Sequence, residues 1–310
     1  MIMKTEGVVI PLAPGIELKR ILYATDFSEA SSAALPLVST IARKYGSHVF
    51  VVNVWTAAPY SMVSPEAAAV LQHKDERETR AKARELLNTK ELAGLPATAI
   101  VQPGTPAEEL TRLVREHNID LAILATHGRT GLKHLLMGSV TEELFRSLSC
   151  PVLTVGPHLS KAFLERSEIN NILFPTDLSE GSRAVFPYLA ALASEYRASL
   201  TLLHVLPIET STNPDARTLA EPLRQEMESI FAPQISSHCR AEFVVDFGEA
   251  AERILAHAQR RNVELIGMEV RKAAEITTHF RNTVAYRVVL GADCPVLTFR
   301  AGNAIGKARA

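Results

Sequence analysis

Cysteine is scarce in this chain of 310 residues, and its placement offers no redox pair or metal site. The three cysteines are Cys150, Cys239 and Cys294, and they form neither a Cys-x-x-Cys pair nor a metal-binding spacing. We therefore expect a cytoplasmic protein in a reducing compartment. Excess charge is absent as well, because the formal net charge at pH 7 is −1. This balance argues against nucleic acid as a partner, which would call for a basic surface.

Long apolar runs are also missing. No run approaches the length of about 18 residues that a membrane-spanning helix needs, so we expect no membrane association. Residues 1–15 contain one lysine and no continuous apolar core, and we therefore expect no signal peptide. No nucleophile–base pair, metal cluster or paired carboxylate stands out, and no catalytic residue is assigned.

What the chain does contain is an internal duplication. Its length suits two domains of about 150 residues, and an apolar content of 47% provides a core for each. Residues 21–29 recur as residues 172–180, residues 101–108 as residues 245–252, and residues 149–154 as residues 293–298. The first pair is offset by 151 positions and the other two by 144, so the second copy is seven residues shorter. We predict one domain over residues 1–156 and another over residues 157–310, with a linker at about residues 156–170.

Strand and helix patterns alternate within the first copy. The predicted strands cover residues 20–25, 49–54, 97–101, 121–124 and 152–155. The predicted helices cover residues 28–45, 65–92 and 141–148, and a further helix begins at a capping box over residues 105–108. Ser64 is the expected N-cap of the helix over residues 65–92. Such alternation predicts βαβ units and a mostly parallel sheet with helices on both faces. The predicted fold class is α/β, with two tandem doubly wound sheets.

A loop rich in glycine, hydroxyl groups and basic side chains follows the fourth predicted strand. It runs from Ala125 to Thr141 and leads into a helix. Glycine lets backbone N–H groups approach an anion, and the helix N-terminus adds positive potential, so this composition favours phosphate binding. The loop contains neither Gly-x4-Gly-Lys-Ser/Thr nor Gly-x-Gly-x-x-Gly, which excludes a Walker A loop and a dinucleotide fingerprint.

The spacing within this loop matches a known pattern. Gly128 is followed by nine residues and then by Gly138 and Ser139, while Thr-Asp-Phe-Ser ends the first strand and Cys-Pro-Val-Leu begins the fifth. These motifs resemble the universal stress protein family, whose nucleotide loop reads Gly-x2-Gly-x9-Gly-Ser/Thr. Ala125 replaces the first glycine of that pattern. The resemblance covers nearly the whole chain as two tandem domains.

The family resemblance implies both an architecture and a ligand. The architecture is Rossmann-like, of the adenine nucleotide alpha hydrolase-like type, with five parallel strands in the order 3-2-1-4-5. The ligand is ATP, or AMP or ADP, in the crevice where strands one and four diverge. In the first copy the implied nucleotide-binding residues are Ala24, Asp26, Val54, Ala125, His127, Gly128, Arg129, Gly131, Gly138, Ser139, Val140 and Thr141.

Several of these residues also have an ordinary structural interpretation. Asp26 suits a Mg²⁺ ion that bridges phosphates or a contact with ligand hydroxyl groups, and equally a turn before the first helix. Ser139 begins a capping box that would compete with phosphate for the same N–H groups. Val54, where the family has a main-chain contact with adenine, also suits a buried strand. Arg129 is equally consistent with a solvated basic loop.

The second copy departs from the family pattern in its loop. Lys272 and Asn282 stand where the first copy has glycine, and Glu269 stands at the position of Ala125. A carboxylate and extended side chains are unsuited to a site that needs bare backbone for phosphate, so we expect no family-type nucleotide site there. Asp177 is expected to serve the turn.

The resulting prediction is a stress-response regulatory module that holds an adenine nucleotide in its first domain. The alternatives are a nucleotide-independent protein-interaction module, with an unidentified protein partner, and a slow ATPase. In the implied strand order, residues 152–155 and 296–299 are edge strands, and exposed edges invite pairing. Because both lie in one chain, we predict a pseudo-dimer within the chain, and a homodimer is the alternative.

Overall fold

The structure is a computed structural model that describes residues 15–55, 64–126, 139–156, 159, 168–207, 216–236, 239–270 and 283–300. The first copy consists of β1 (Arg20–Ala24), α1 (Glu29–Ser32), α2 (Leu35–Tyr45), β2 (His48–Trp55), α3 (Pro65–Leu87), β3 (Ala97–Pro103), α4 (Pro106–Glu116), β4 (Leu121–Ala125), α5 (Ser139–Ser147) and β5 (Val152–Val155). The second consists of β6 (Asn171–Pro175), α6 (Glu180–Tyr196), β7 (Ser199–Leu206), α7 (Ala216–Phe231), β8 (Ala241–Phe247), α8 (Ala250–Arg260), β9 (Leu265–Val270), α9 (Val284–Gly291) and β10 (Val296–Arg300). A 3-10 turn, Ala232–Gln234, follows α7.

Two helices differ from the sequence-based prediction. The helix predicted over residues 28–45 is divided into α1 and α2, and Pro36 lies in the first turn of α2. Proline has no N–H to donate to the preceding turn, so it suits a helix start and interrupts a continuous helix. The helix predicted to reach residue 92 ends at Leu87, where the side-chain amide of Asn88 donates to the Arg84 carbonyl.

The predicted helix caps are only partly realised. The Ser64 hydroxyl accepts a hydrogen bond from the Ala67 amide and caps α3 as expected. Thr105 occupies the N-cap position of α4, but its side chain makes no cap hydrogen bond, so the predicted capping box is wrong. Pro106 at the start of α4 supplies a fixed helical φ instead.

The ten described strands form a single sheet in the order β3-β2-β1-β4-β5-β10-β9-β6-β7-β8. The predicted order 3-2-1-4-5 is therefore confirmed in both copies, and neighbouring strands within each copy are parallel. The two copies meet where β5 and β10 pair antiparallel, with Leu153 opposite Leu297. The predicted contact between the two fifth strands of one chain is present.

Side chains reinforce this joint between the copies. The Thr154 hydroxyl donates to the Val296 carbonyl, and the Thr298 hydroxyl donates to the Val152 carbonyl, each at 3.1 Å. All four residues of β5 are buried. Burial of a Val or Leu side chain contributes roughly 1.5–3 kcal/mol, so the shared strands stabilise both copies together.

The hydrophobic core continues across the joint on both faces of the sheet. Ile21 and Leu22, which point to opposite faces of β1, belong to separate buried clusters, and each cluster contains residues of both copies. On one face the Tyr45 hydroxyl donates to Glu195 at 2.5 Å, which links α2 to α6. The two copies are therefore packed as one body.

Candidate functional site

A tight turn follows β1 and contains Asp26. Phe27 has a positive φ of 61°, and two hydrogen bonds fix the turn. The Asp26 carboxylate accepts from the Ser28 amide at 3.0 Å, and the Thr25 hydroxyl oxygen accepts from the Phe27 amide at 3.0 Å. Asp26 thus has the turn role that the sequence allowed, and its role toward a ligand or Mg²⁺ stays a prediction.

Buried hydroxyl groups support the turn from beneath. Ser28 caps α1 by accepting from the Ser31 amide at 3.2 Å, and the Ser31 hydroxyl lies 3.0 Å from that of Thr25. The Tyr23 hydroxyl donates to the Ser31 carbonyl at 2.7 Å, and burial raises the pKa of Tyr23 to about 12. A half-buried carboxylate is therefore held on a fixed platform at the end of β1.

The end of β2 lies next to this turn. The Val52 carbonyl accepts from the Thr25 amide at 2.9 Å, and the Trp55 carbonyl accepts from Gly104 beyond β3. In a strand, alternate residues direct both backbone polar groups to the same neighbour. The amide and carbonyl of Val54 therefore face the β1 side of β2. Val54 lies two residues beyond Val52, the partner of the last residue of β1.

Asn53 connects β2 to the Asp26 turn through its side chain. Its amide nitrogen donates to the Thr25 carbonyl at 2.8 Å. Its amide oxygen is buried without a hydrogen-bond partner in the described part of the chain, and the residue is only 5% exposed. A buried acceptor of this kind is costly unless a ligand or water satisfies it.

The end of β4 reaches the same edge of the sheet. Tyr23 pairs with Ile123, so Ala24 and Ala125 lie at the ends of neighbouring strands. The Thr141 hydroxyl, in the first turn of α5, donates to the Ala125 carbonyl at 3.2 Å. The structure thus brings together six predicted site residues: Ala24, Asp26, Val54, Ala125, Val140 and Thr141.

The other predicted site residues lie outside the described residues. These are His127, Gly128, Arg129, Gly131 and Gly138, together with the side chain of Ser139. Lys272 and Asn282 of the second copy lie outside as well. Thr283, the counterpart of Ser139, caps α9 by accepting from the Tyr286 amide at 3.2 Å. In the second copy, this position therefore serves as a helix cap.

The second copy repeats the turn closely. Leu178 has a φ of 63°, and its amide donates to the Thr176 hydroxyl oxygen at 3.1 Å. Asp177 accepts from the Ser179 amide at 3.0 Å, which is the turn role expected for it. Nδ1 of His204 donates to the Thr176 carbonyl at 2.8 Å, in the place that the Asn53 amide takes in the first copy.

Glu269 makes the second site different. Its side chain lies against the first turn of α6, where it accepts a hydrogen bond from the Ser179 hydroxyl at 3.3 Å. A Cβ on Gly181 would lie 2.0 Å from the Glu269 carboxylate, so the missing side chain at this glycine makes room for it. Burial raises the pKa of the Glu269 carboxyl, and the bond from Ser179 only partly opposes this shift.

A cavity of about 290 Å³ lies beside Glu269, at the carboxyl ends of β6, β7 and β9. Its lining is mostly apolar and includes Pro175, Leu203, Val205, Ile254, Met268, Val270, Val284 and Ala285. Among the described residues, Asp177 and Glu269 are the carboxylates that border it. The described part of the cavity therefore lies at the carboxyl ends of the second copy's strands and is apolar and acidic.

Three of these positions were not predicted from the sequence. The first two, Asn53 and His204, are separated by 151 residues, the same offset that relates the two Thr-Asp turns. Extending the alignment of the repeats through the second strand would have paired them. Gly181 was also missed, because its role depends on the carboxylate of Glu269, which is distant in sequence.

Comparison with known proteins identifies the family. The model of the Universal stress protein family matches residues 17–156 and again residues 168–300. The chain belongs to the universal stress protein family. It is a tandem member, because the family model matches it twice. The boundary between residues 156 and 157 stays a prediction.

Individual relatives agree with this assignment. A universal stress protein of Methanocaldococcus jannaschii is 29% identical over 152 residues, which cover 44% of this chain and 94% of the relative. The Bacillus subtilis universal stress protein YxiE is 27% identical over 144 residues, which cover 44% of this chain and 97% of the relative. Each relative thus matches a length of chain equal to about one copy.

A solved structure supports the architecture of the whole chain. A universal stress protein from Archaeoglobus fulgidus aligns over 93% of this chain and 98% of its own, with a TM-score of 0.71 and 20% identity. This likeness shows the fold. In the described ranges no helix is long and apolar enough to cross a membrane. Within the same ranges, no group of three or more His, Cys, Asp or Glu residues is placed to hold a metal ion.

Proposed function

We propose that this universal stress protein binds an adenine nucleotide in its first copy and acts as a cytoplasmic regulatory module of the stress response. The observation that carries the proposal is the end of β2. There the backbone groups of Val54 face the β1 side of β2 beyond the last residue of β1, and the buried oxygen of Asn53 has no partner in the described part of the chain. A purine edge presents donors and acceptors that match such groups.

The sugar and phosphate end of the proposed site is formed by β1 and the loop after β4. Asp26 would accept hydrogen bonds from ribose hydroxyl groups or hold Mg²⁺, which would neutralise phosphate charge. Gly128, Gly131 and Gly138 would allow close approach of backbone N–H groups. His127, Arg129, Ser139, Val140 and Thr141 complete the proposed set, with Ala24 and Ala125 at the strand ends.

Isothermal titration of the full chain with ATP, ADP and AMP, with and without Mg²⁺, tests this proposal. We expect one nucleotide per chain and a weaker affinity for Asp26→Asn. Asp177→Asn is a matched control, because it changes the equivalent turn of the second copy and should leave nucleotide binding unaltered. No binding at millimolar nucleotide would overturn the proposal.

A nucleotide-independent interaction module is the second candidate. It is favoured by Ala125, whose methyl group stands where the family pattern has a bare glycine. Mass spectrometry of small molecules released from freshly purified protein separates the two candidates, because co-purified adenine nucleotide contradicts the second.

Slow ATP hydrolysis is a third and weaker candidate. It needs a group that positions water beside the phosphates, and only Asp26 and His127 are suitable by type. The Asp26 carboxylate already accepts a turn hydrogen bond. A phosphate-release assay with Asp26→Asn as the control measures any such activity.

A further inference from the structure

The cavity of the second copy has a shape and polarity of its own. At about 290 Å³ it is close to the lower limit for small-molecule sites, and larger than the roughly 150 Å³ apolar cavity that accepts benzene in an engineered protein. Leu203, Ile254 and Val284 come from three different elements and form apolar walls. A ligand with one aromatic ring or a short alkyl chain fits this space.

Charge on the border of the cavity restricts the ligand further. Asp177 is exposed at the rim, while Glu269 is half-buried and accepts a hydrogen bond from Ser179 within the described ranges. Both carboxylates would repel phosphate and carboxylate ligands. Most of the lining is apolar carbon, which does not coordinate a bare metal ion. A cation attached to an apolar body satisfies both features.

The cost of burying Glu269 points to the same ligand class. Burial raises the pKa of this carboxyl, and no cation among the described residues is paired with its charged form. An ammonium group beside it would restore a hydrogen-bonded ion pair that is partly shielded from water. Gly181 leaves the carboxylate room at this position.

We propose that the second copy binds a small apolar amine, with its apolar body in the cavity and its ammonium group beside Glu269. This site is separate from the proposed nucleotide site of the first copy. It gives the second copy a ligand of opposite charge to a nucleotide.

Titration calorimetry of the full chain with three probes of similar shape tests this proposal. Phenethylamine should bind once per chain, phenethyl alcohol about tenfold more weakly because it loses the charge-assisted hydrogen bond, and phenylacetate not detectably because its carboxylate is repelled by Glu269. Equal affinities for the amine and the alcohol, or no saturable amine binding at millimolar concentration, would overturn it.

Two variants locate the site. Glu269→Gln keeps the shape of the side chain and should reduce the affinity for phenethylamine to that for phenethyl alcohol. Val284→Phe should fill the cavity and remove binding of both, whereas Val140→Phe, the equivalent change in the first copy, should leave amine binding unaltered. Loss of amine binding only in Val140→Phe would place the site elsewhere and refute the proposal. Thermal melting checks that each variant is folded.

Discussion

The two copies share a turn and differ in the pair of residues that face each other above it. Ala30 and Ala125 hold these positions in the first copy, and Gly181 and Glu269 hold them in the second. The Asp-containing turns have nearly the same φ, 61° at Phe27 and 63° at Leu178, and equivalent hydrogen bonds, so the turn itself is shared. The exchange of alanine for a carboxylate, accommodated by a glycine, thus adds a negative charge at the end of the fourth strand of the second copy without altering the turn.

Converting the first copy into the second should have the largest effect on ligand binding. In Ala30→Gly with Ala125→Glu, a carboxylate would face the nucleotide phosphates, and we expect nucleotide affinity to fall at least about a hundredfold. Titration with ATP measures the loss. Ala30→Gly alone is the control and should retain binding. Retained binding in the double variant would show that the comparison between the crevices is mistaken.

Breaking the joint should reveal how far the two copies depend on each other. Leu297 is 4% exposed and lies opposite Leu153, so Leu297→Asp buries an uncompensated charge between β5 and β10. We expect a loss of about 3–5 kcal/mol in the free energy of unfolding. Urea denaturation measures it. Leu219→Asp is the control, because Leu219 is 46% exposed and its replacement should change stability by less than about 0.5 kcal/mol.

The pairing of Gly181 with Glu269 predicts a smaller effect. In Gly181→Ala the new methyl group would displace the Glu269 carboxylate, at an expected cost of about 1 kcal/mol in stability. The same substitution in a Glu269→Ala background should cost less, because nothing then occupies the space. A double-mutant cycle by chemical denaturation gives the coupling. Purely additive effects would contradict the proposed contact.

The raised pKa of Glu269 predicts a pH dependence of the free energy of unfolding, which is the smallest of the four expected effects. Its pKa is raised in the folded protein, so the folded state binds more protons than the unfolded state between the ordinary value of 4.5 and the raised value. This contribution to stability is present below that window and is lost as the pH rises through it. Glu269→Gln should flatten this part of the profile. The exposed Glu180→Gln is the control, and an unchanged profile in Glu269→Gln would argue against the shift.

Much of the architecture could be predicted from the chain because it depends on local patterns and on duplication. The strand order and the β5–β10 joint followed from the family resemblance and from the exposed apolar edges that it implied. The division of the first helix at Pro36 was predictable in principle, since proline is unsuited to a helix interior. The absence of a side-chain cap at Thr105 was not predictable, because it depends on the orientation of one side chain.

The candidate site was predicted less completely than the fold. Asp26 and Val54 were identified through the family motif, which is a property of sequence. Asn53 was not, because its interest arises from a buried oxygen without a described partner, which only the packing of β2 against the Thr25 turn creates. The cavity beside Glu269 likewise results from elements that are far apart in the chain, so no local pattern shows it.

The antiparallel joint between β5 and β10 has a consequence for communication between the crevices. Because each half-sheet is parallel within itself, the carboxyl ends of the two halves point in opposite directions, and the crevices lie at opposite rims of one plate. With strands about 4.8 Å apart and five-residue strands about 17 Å long, the crevices are about 25 Å from each other. A ligand in one crevice cannot contact a ligand in the other. Coupling between them would have to run through the shared strands β5 and β10 or through the side chains packed across that joint on the two faces of the sheet.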